Sequence, residues 1–369
     1  MPDAPAPLTG SVPQRPLRVV IPAHNEERVV GVLVGDLLDQ DYPCEAYTVW
    51  VLADRCEDAT AAVAARAGAR VVERSHGPDG KGELLRWHLA EYPLAPDEAL
   101  AVLDADNRVE RDLLSHLAGA LVKGAVAVQA SVLPSNLDAS PIAAAAGLGD
   151  WMTREMVYAG GRGRGRPVEL SGTGFCVTAA ALGEVGGWSG SFTEDLDLTV
   201  RLLQAGHRIR YLPEARVWDE KPPDLRAAVL QRRRWAQGRT GVRRRRGPTL
   251  LRRAVAERSL TMMLMAFRLA VPGRSFRMLL TVGLGVWAAV AGWGFPISWP
   301  VWAALSLWLA GRPVWALWPL REVRPYLRWY PLTLMWGFVW LLVRLLPHRR
   351  EWYHTPHHGS ASGEDPAPV

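Results

Sequence analysis

The stretch Ala99-Leu-Ala-Val-Leu-Asp104-Ala-Asp106 decides how this chain folds. Its five leading apolar residues read as a strand buried on both faces, and two carboxylates one residue apart follow directly. In open α/β sheets ligands bind beyond the carboxyl ends of the strands, which places Asp104 and Asp106 at a site rather than in the core. Paired oxygen ligands of this kind suit a hard divalent cation that also holds a diphosphate. A solvated acidic loop is the plain alternative.

Upstream, the same alternation repeats. Leu17-Arg-Val-Val-Ile21 predicts a short strand, followed by the loop Pro22-Ala-His24-Asn25-Glu26-Glu27 and an amphipathic helix to about Leu38. A second strand, Tyr47 to Ala53, ends at Asp54, and Asp58 precedes a helix from Ala59 to Ala67 as its expected N-cap. The third strand, Arg70 to Glu73, leads into Gly77-Pro-Asp-Gly80-Lys81-Gly82 and a helix from Glu83. Glycines around one Lys ahead of a helix N-terminus are suited to phosphate oxygens, although the P-loop spacing is absent and a flexible turn with a solvated Lys also fits. With a helix at Asp112 to Val122 and a strand at Val126 to Ala130, the pattern predicts a doubly wound parallel sheet.

Downstream, Asn136 to Tyr158 reads as helical, and Gly160 to Arg166 is a basic loop, solvated or in contact with phosphate or lipid. In Ser171-Gly-Thr-Gly174-Phe175-Cys176 the small residues would admit a ligand to the backbone and Phe175 would stack on it; a strand bend is the competing reading. Thr193-Glu194-Asp195 opens a helix, where the dipole stabilises negative charge, and Asp195 offers a separate carboxylate for general-base work or for capping. Gln231-Arg-Arg-Arg234-Trp235 adds a fixed cation and an aromatic plane, suited to a diphosphate and a sugar ring.

With 369 residues there is room for one α/β domain and an appendage. The net charge of +6 is uneven: Arg226 to Arg277 contains 15 Arg and the single acid Glu257. Such a band beside apolar segments reads as a surface for anionic lipid headgroups. It does not interleave with stacking aromatics, which argues against nucleic acid. Eleven of the 17 Trp lie after residue 280 and place the membrane-like material there. Cys44, Cys56 and Cys176 form no disulfide or zinc pattern, which points to a reducing compartment. Residues 1–16 lack an apolar signal core and read as a disordered tail.

In this order the motifs resemble those of family 2 glycosyltransferases, in the membrane-bound branch that includes cellulose, hyaluronan and poly-N-acetylglucosamine synthases and ceramide glucosyltransferases. The resemblance runs from roughly Arg18 to Arg239. It implies an α/β GT-A fold over 17–225, basic interfacial helices over 226–275, transmembrane helices over 276–347 and a polar tail over 348–369. It also implies a nucleotide subsite at Pro22, His24, Asn25, Glu26, Asp54, Lys81 and Asp104, with Mg²⁺ or Mn²⁺ at Asp104 and Asp106. Catalysis falls to Asp195, Glu194, Gln231, Arg234 and Trp235, and acceptor contact to Gly174, Phe175 and Trp235.

Three apolar segments, about Met278 to Ile297, Trp299 to Leu320 and Tyr330 to Leu346, are candidates for crossing. Three crossings would put Arg349 and Arg350 outside, against the positive-inside preference. The resemblance of Trp352-Tyr-His354-Thr355-Pro-His357 to a motif of related enzymes instead implies a cytosolic tail, and its His residues read as solvated rather than metal-binding. The expected protein is a multi-pass enzyme of the cytoplasmic membrane with its catalytic domain in the cytosol. It would move a sugar, with inversion, from a nucleotide-diphospho-sugar (UDP-linked by resemblance) to a membrane-associated acceptor in exopolysaccharide or cell-envelope glycan synthesis. Transfer of one sugar to a lipid is the alternative, and an inactive nucleotide-sugar-binding scaffold is the alternative of another class. A polymer channel would need a partner subunit or a second copy.

Overall fold

The computed structural model describes residues 14–158, 166–271, 273–291 and 297–339. The N-terminal tail to residue 13, most of the basic loop at Gly160 to Arg166, the end of the third apolar segment and the polar tail with its His residues lie outside the described residues.

Four apolar strands form one side of an eight-stranded sheet. Strand β1 (Leu17–Ala23) lies parallel between β2 (Tyr47–Asp54) and β4 (Ala99–Val102), and β3 (Arg70–Arg74) pairs parallel with β2. Alternate residues of these strands enter two cores. Leu17, Val19 and Ile21 pack against α1 (Val30–Leu38), α2 (Thr60–Arg66) and α4 (Leu113–Val122). Val20, Trp50, Leu52, Leu100 and Val102 pack on the other face against α3 (Lys81–Glu91) and α6 (Ala179–Glu184). Each fully buried aliphatic side chain contributes about 1.5–3 kcal/mol. Arg18 also points into the second layer, and its guanidinium is satisfied by Glu98 (2.8 Å) and the Tyr92 carbonyl (2.5 Å).

The sheet order is β3-β2-β1-β4-β7-β6-β8-β5, where β5 is Arg108–Val109, β6 Ala127–Pro134, β7 Phe175–Thr178 and β8 Ile209–Asp219. It is mixed, which corrects the expected all-parallel sheet: β7 runs antiparallel to both β4 and β6, and β5 antiparallel to β8. The cause is local. The chain crosses the carboxyl end of β4 before it enters the sheet as β7, and it turns there through Gly172 (φ 80°) and Gly174 (φ 64°), backbone states that other residues rarely adopt.

Helix α5 (Pro141–Thr153) is shorter than the expected helix, capped by Ser140, whose hydroxyl accepts from Ala143 N–H (3.0 Å), and it ends in a wide π turn, Arg154–Tyr158. Asp58 is not the N-cap of α2: Ala59 is, and Asp58 accepts from Glu27 N–H (3.1 Å) and Thr60 N–H (3.0 Å).

Helix α7 (Glu194–Gln204) joins the sheet to the helices C-terminal to it. Leu198 and Leu202 face the sheet core, while Leu196, Val200 and Leu203 meet Val242, Leu250, Met262, Met265 and Leu269. Those partners lie on α8 (Leu225–Ala256) and α9 (Leu260–Ala270). Helix α8 is continuous over 32 residues; the chain turns at Arg258 (φ 50°), and Ser259 caps α9.

The expectation of several transmembrane helices is not confirmed among the described residues. Among the described residues α10 (Arg274–Ala291) is the helix long and apolar enough to cross a membrane. Helix α11 (Trp299–Leu317) carries Arg312 and Pro313. The third segment begins as 3₁₀ turns (Arg324–Leu334), with Tyr330 and Thr333 buried. A multi-pass topology is therefore not supported.

His88 on α3 is fully buried against Trp50 and Tyr92, and burial pushes its imidazole down to about 4. The unfolded chain takes up this proton below its ordinary 6.5, the folded chain only near 4, so stability is intact above 6.5 and falls as pH drops between the two. We expect a loss of up to about 3 kcal/mol across that window. His88→Leu should flatten it, as read from urea midpoints at pH 7 and 4.5; equal slopes for both proteins would refute the assignment.

Candidate functional site

A cavity of about 1170 Å³ opens where β1, β2, β4 and β8 end, with α8 and α9 as its far wall. It collects Pro22, His24, Glu26, Asp54, Lys81, Asp104, Asp106, Glu194, Asp195, Gln231, Arg234 and Trp235 from segments spread over more than 200 residues.

The turn after β4 is held by its own backbone. Asp104 N–H donates to Thr173 Oγ1 (3.0 Å) and Asn107 Oδ1 (3.1 Å), and the Asp106 carboxylate accepts from Asn107 Nδ2 (3.3 Å). Lys81 is the first residue of α3, and its ammonium donates to Asp104 Oδ1 and to the Gly172 carbonyl (2.7 Å). Burial alone would lower its pKa, but the charges of Asp104 and Glu194 hold it above the ordinary Lys value.

Across this ammonium stand the first two residues of α7. Asp195 accepts from Leu196 N–H (2.7 Å), and its other oxygen lies beside Gly172, where an added Cβ would stand 3.5 Å away. Burial raises the pKa of both Glu194 and Asp195; Asp195 pushes Glu194 further up, and Lys81 pulls each back. A carboxylate raised toward neutral pH is a better proton acceptor than an ordinary one.

On the nucleotide side, Asp54 is gripped by Arg74 (2.7 and 2.9 Å) and by Arg55 (2.8 and 3.1 Å). Burial raises its pKa, but these hydrogen bonds outweigh that and hold it below the ordinary range. His24 Nδ1 lies 2.6 Å from the Asp54 carbonyl, tying the first two strand ends together. Glu26 is buried, and its N–H donates to Thr60 Oγ1 (2.8 Å). Asn25 departs from expectation: it is not part of the cavity wall, and its side chain accepts from Glu57 N–H (2.8 Å) at φ 56°.

The acceptor assignment needs a larger correction. Phe175 is 1% exposed and packs on Trp188 (5.9 Å between ring centroids), and Gly174 packs against Val217 and Ala130. Side chains alternate across a strand, so the cavity wall falls to Ser171, Gly172 and Thr173 instead. Trp235 lies on the cavity wall, 44% exposed on α8.

Helix α8 is seated directly on the Thr193-Glu194-Asp195 turn. An added Cβ at Gly238 would come within 2.4 Å of Thr193 Cγ2, and one at Gly82 within 2.9 Å of Glu194 Cβ, so two glycines let α8 and α3 close on this turn from both sides. Arg245 donates to Ser191 Oγ (3.0 Å) and Arg246 to Asp197 (3.1 Å). Much of the band expected to face lipid headgroups thus faces the catalytic domain.

Several wall residues had no signal in the sequence. Glu169 meets Arg268 (2.9 Å) and Arg239 (3.4 Å), and Lys221 bridges Asp219 (2.5 Å) and Asp150 (2.7 Å). Burial raises the pKa of Asp219, and nearby Asp104 adds to it. A carboxylate that feels Asp104 is a signal only the folded chain can give.

The resemblance implies a divalent metal ion, and the residues fit one. Asp104 and Asp106 offer the oxygen ligands that Mg²⁺ and Mn²⁺ take, with Asp219 close by. Among the described residues no three His, Cys, Asp or Glu side chains are grouped to hold an ion alone, so a bound diphosphate would have to supply further oxygens.

Comparison with known proteins identifies the family. The chain is 32% identical over 255 residues to a beta-monoglucosyldiacylglycerol synthase of Synechocystis, covering 64% of this chain and 51% of that protein. It is 27% identical over 240 residues to a probable glycosyltransferase of Bacillus subtilis, covering 60% and 54%. The chain thus spans about half the length of these curated relatives. A mannosyltransferase from Pyrobaculum calidifontis, solved with GDP-Man and Mn²⁺, superposes with a TM-score of 0.56 over 90% of this chain and 87% of its own. At 19% identity that likeness concerns the fold. The family described as glycosyltransferase like family 2 matches residues 13–238, more than half of the chain, and to that family the chain belongs.

Proposed function

We propose that the protein transfers one sugar from a nucleotide-diphospho-sugar to a hydroxyl of a membrane lipid. The observation that carries this reading is the meeting of Asp104, Asp106, Lys81, Asp195, Arg234 and Trp235 on one cavity, roomy enough for a donor and the end of an acceptor. Two lipid-directed features support the lipid over the polymer first expected from the sequence: the name of the 32%-identical relative, and the exposed apolar faces of α10 and α11, where Trp287 is 62% and Leu307 74% exposed. A membrane-associated enzyme with its catalytic sheet beside the bilayer follows from the same reading.

The chain's own groups divide the work. Asp54 with Arg55 and Arg74 shapes the nucleotide end, and Lys81 stands at the diphosphate. Asp104 and Asp106 would hold Mg²⁺ or Mn²⁺, which when bound would supply positive charge for the departing nucleoside diphosphate. Asp195 takes the proton of the acceptor hydroxyl as that oxygen bonds to the anomeric carbon and the bond to the diphosphate breaks on the opposite side, which inverts the centre. Arg234 places a cation and Trp235 a flat apolar surface where leaving group and acceptor sugar or lipid headgroup must be aligned.

The test is nucleotide release by the detergent-solubilised chain with a panel of UDP- and GDP-sugars, Mg²⁺ or Mn²⁺ and diacylglycerol. Release with one donor, giving a monoglycosylated lipid by mass spectrometry, supports the reading; a ladder of longer products would favour the polymer. Asp195→Asn should retain donor binding and lose about 10²–10⁴-fold in transfer; transfer at the wild-type rate would remove Asp195 from the base role. Asp106→Ala should abolish the dependence of nucleotide affinity on Mn²⁺ in calorimetry, and an unchanged Mn²⁺ dependence would refute that ligand. Because Asp195 must be ionised to act and its pKa is raised, activity should fall with decreasing pH already above the ordinary carboxylate range. An acid limb at or below about pH 4 would contradict the assignment.

A further inference from the structure

A second cavity, of about 630 Å³, adjoins the first behind α9 and shares Arg232, Arg268, Arg274 and Trp336 with it. Its lining carries six arginines, Arg166, Arg232, Arg268, Arg274, Arg277 and Arg312, and no acidic side chain among the described residues. Arg268 has its carboxylate in Glu169. Arg232 lies over the Trp336 ring (3.7 Å), Arg312 over Trp308 (5.5 Å), and Arg274 reaches the Tyr330 hydroxyl (3.3 Å). Rings and hydroxyls orient a guanidinium without cancelling its charge. Burial lowers the pKa of Arg232 to about 10 even though the charge of Asp150 pulls it back up, so holding this charge in the wall still costs free energy that an anion would return.

Much of the remaining wall is apolar, with Met152, Met156, Leu264, Phe267, Phe276 and Leu309, and its other polar side chains, Thr153, Ser275 and Thr333, are uncharged. Its height relative to the bilayer follows from helix register. Ser306 donates to Thr281 Oγ1 (3.1 Å) and Gly285 faces Trp302, which sets α10 and α11 antiparallel with Arg312 level with Ser275. Arg274, Arg277 and Arg312 therefore lie at the same end of the helix pair, the end nearest the catalytic domain. Beyond them the outer faces turn apolar, as Val286, Trp287 and Leu307 are exposed.

We propose that this second cavity binds an anionic phospholipid, with its phosphate among the arginines and its chains along the apolar wall. Guanidinium forks bind phosphate oxygens in pairs, and a ring of them at the start of a membrane helix matches the depth of a headgroup. A free phosphate would leave the apolar wall uncovered. The inference takes from the proposed function only the membrane setting, and it names a lipid held beside the reacting groups rather than the acceptor.

Native mass spectrometry of the full chain, released from detergent containing equal phosphatidylglycerol and phosphatidylcholine, reads this without turnover. Retention of one phosphatidylglycerol in preference to phosphatidylcholine is expected, and about tenfold or more weaker retention in Arg274→Gln with Arg277→Gln. Arg274→Lys with Arg277→Lys should recover most of it, which separates lost charge from a lost fold. Changing the exposed Arg244 and Arg252 of α8 to Gln should leave retention as in the wild type. Equal retention of both lipids, undiminished retention in the Gln pair, or displacement of the lipid by inorganic phosphate in simple competition would each overturn the proposal. Transfer activity can fail while this binding holds, and the reverse, so the two readings are tested apart.

Discussion

The ammonium of Lys81 makes the rest of the site possible. Asp104, Glu194 and Asp195 come from two distant elements and converge on this ammonium, and like charges brought together there repel one another. Lys81 stands among them and also donates to the Gly172 carbonyl, so one side chain joins the start of α3, the end of β4 and the segment entering β7. Its own placement depends on Gly80 (φ 118°), which starts α3 abruptly enough to aim the first side chain inward. Burial raises the pKa of Glu194 and Asp195 and neighbouring carboxylates add to it, and this cation limits the rise.

The arginines of α8 and α9 serve different neighbours although they are one band in the sequence. Arg239 and Arg268 neutralise Glu169, Arg245 and Arg246 meet the segment around α7, and Arg244 and Arg252 face outward. Charge counting alone treats them as one surface. Pairing divides the band into a part that assembles the site and a part left for other partners.

That difference marks what could be read from the chain and what could not. Strands β1, β2 and β4 were legible because strands covered on both faces are apolar runs, and Asp54, Asp104 and Asp106 were legible as the polar residues that stop them. The reversal of β7 was not, since it depends on backbone angles at Gly172 and Gly174 that a bare Gly-x-Gly does not specify. The direction of Phe175 then followed the strand rather than its chemistry. The continuity of α8 was hidden as well: Gly238, Gly241, Gly247 and Pro248 argue against a helix, and its hold comes from contacts with α7 and α9 rather than from propensity. Glu169 with Arg268, and Asp219 with Asp104, join residues about a hundred positions apart and leave no local trace.

The contact of Gly238 with Thr193 bears on how this protein can be handled in the laboratory. A soluble catalytic fragment cut where the family match ends, at residue 238, would retain the acids and Gly238 but lose the second half of α8 and all of α9. Gone with them would be Arg239, Arg245 and Arg246, depriving Asp197 of one of its two arginines and leaving the apolar side of α7 bare to water. Any workable boundary lies beyond α9, so the smallest autonomous unit is set by what α7 must bury rather than by where sequence similarity stops.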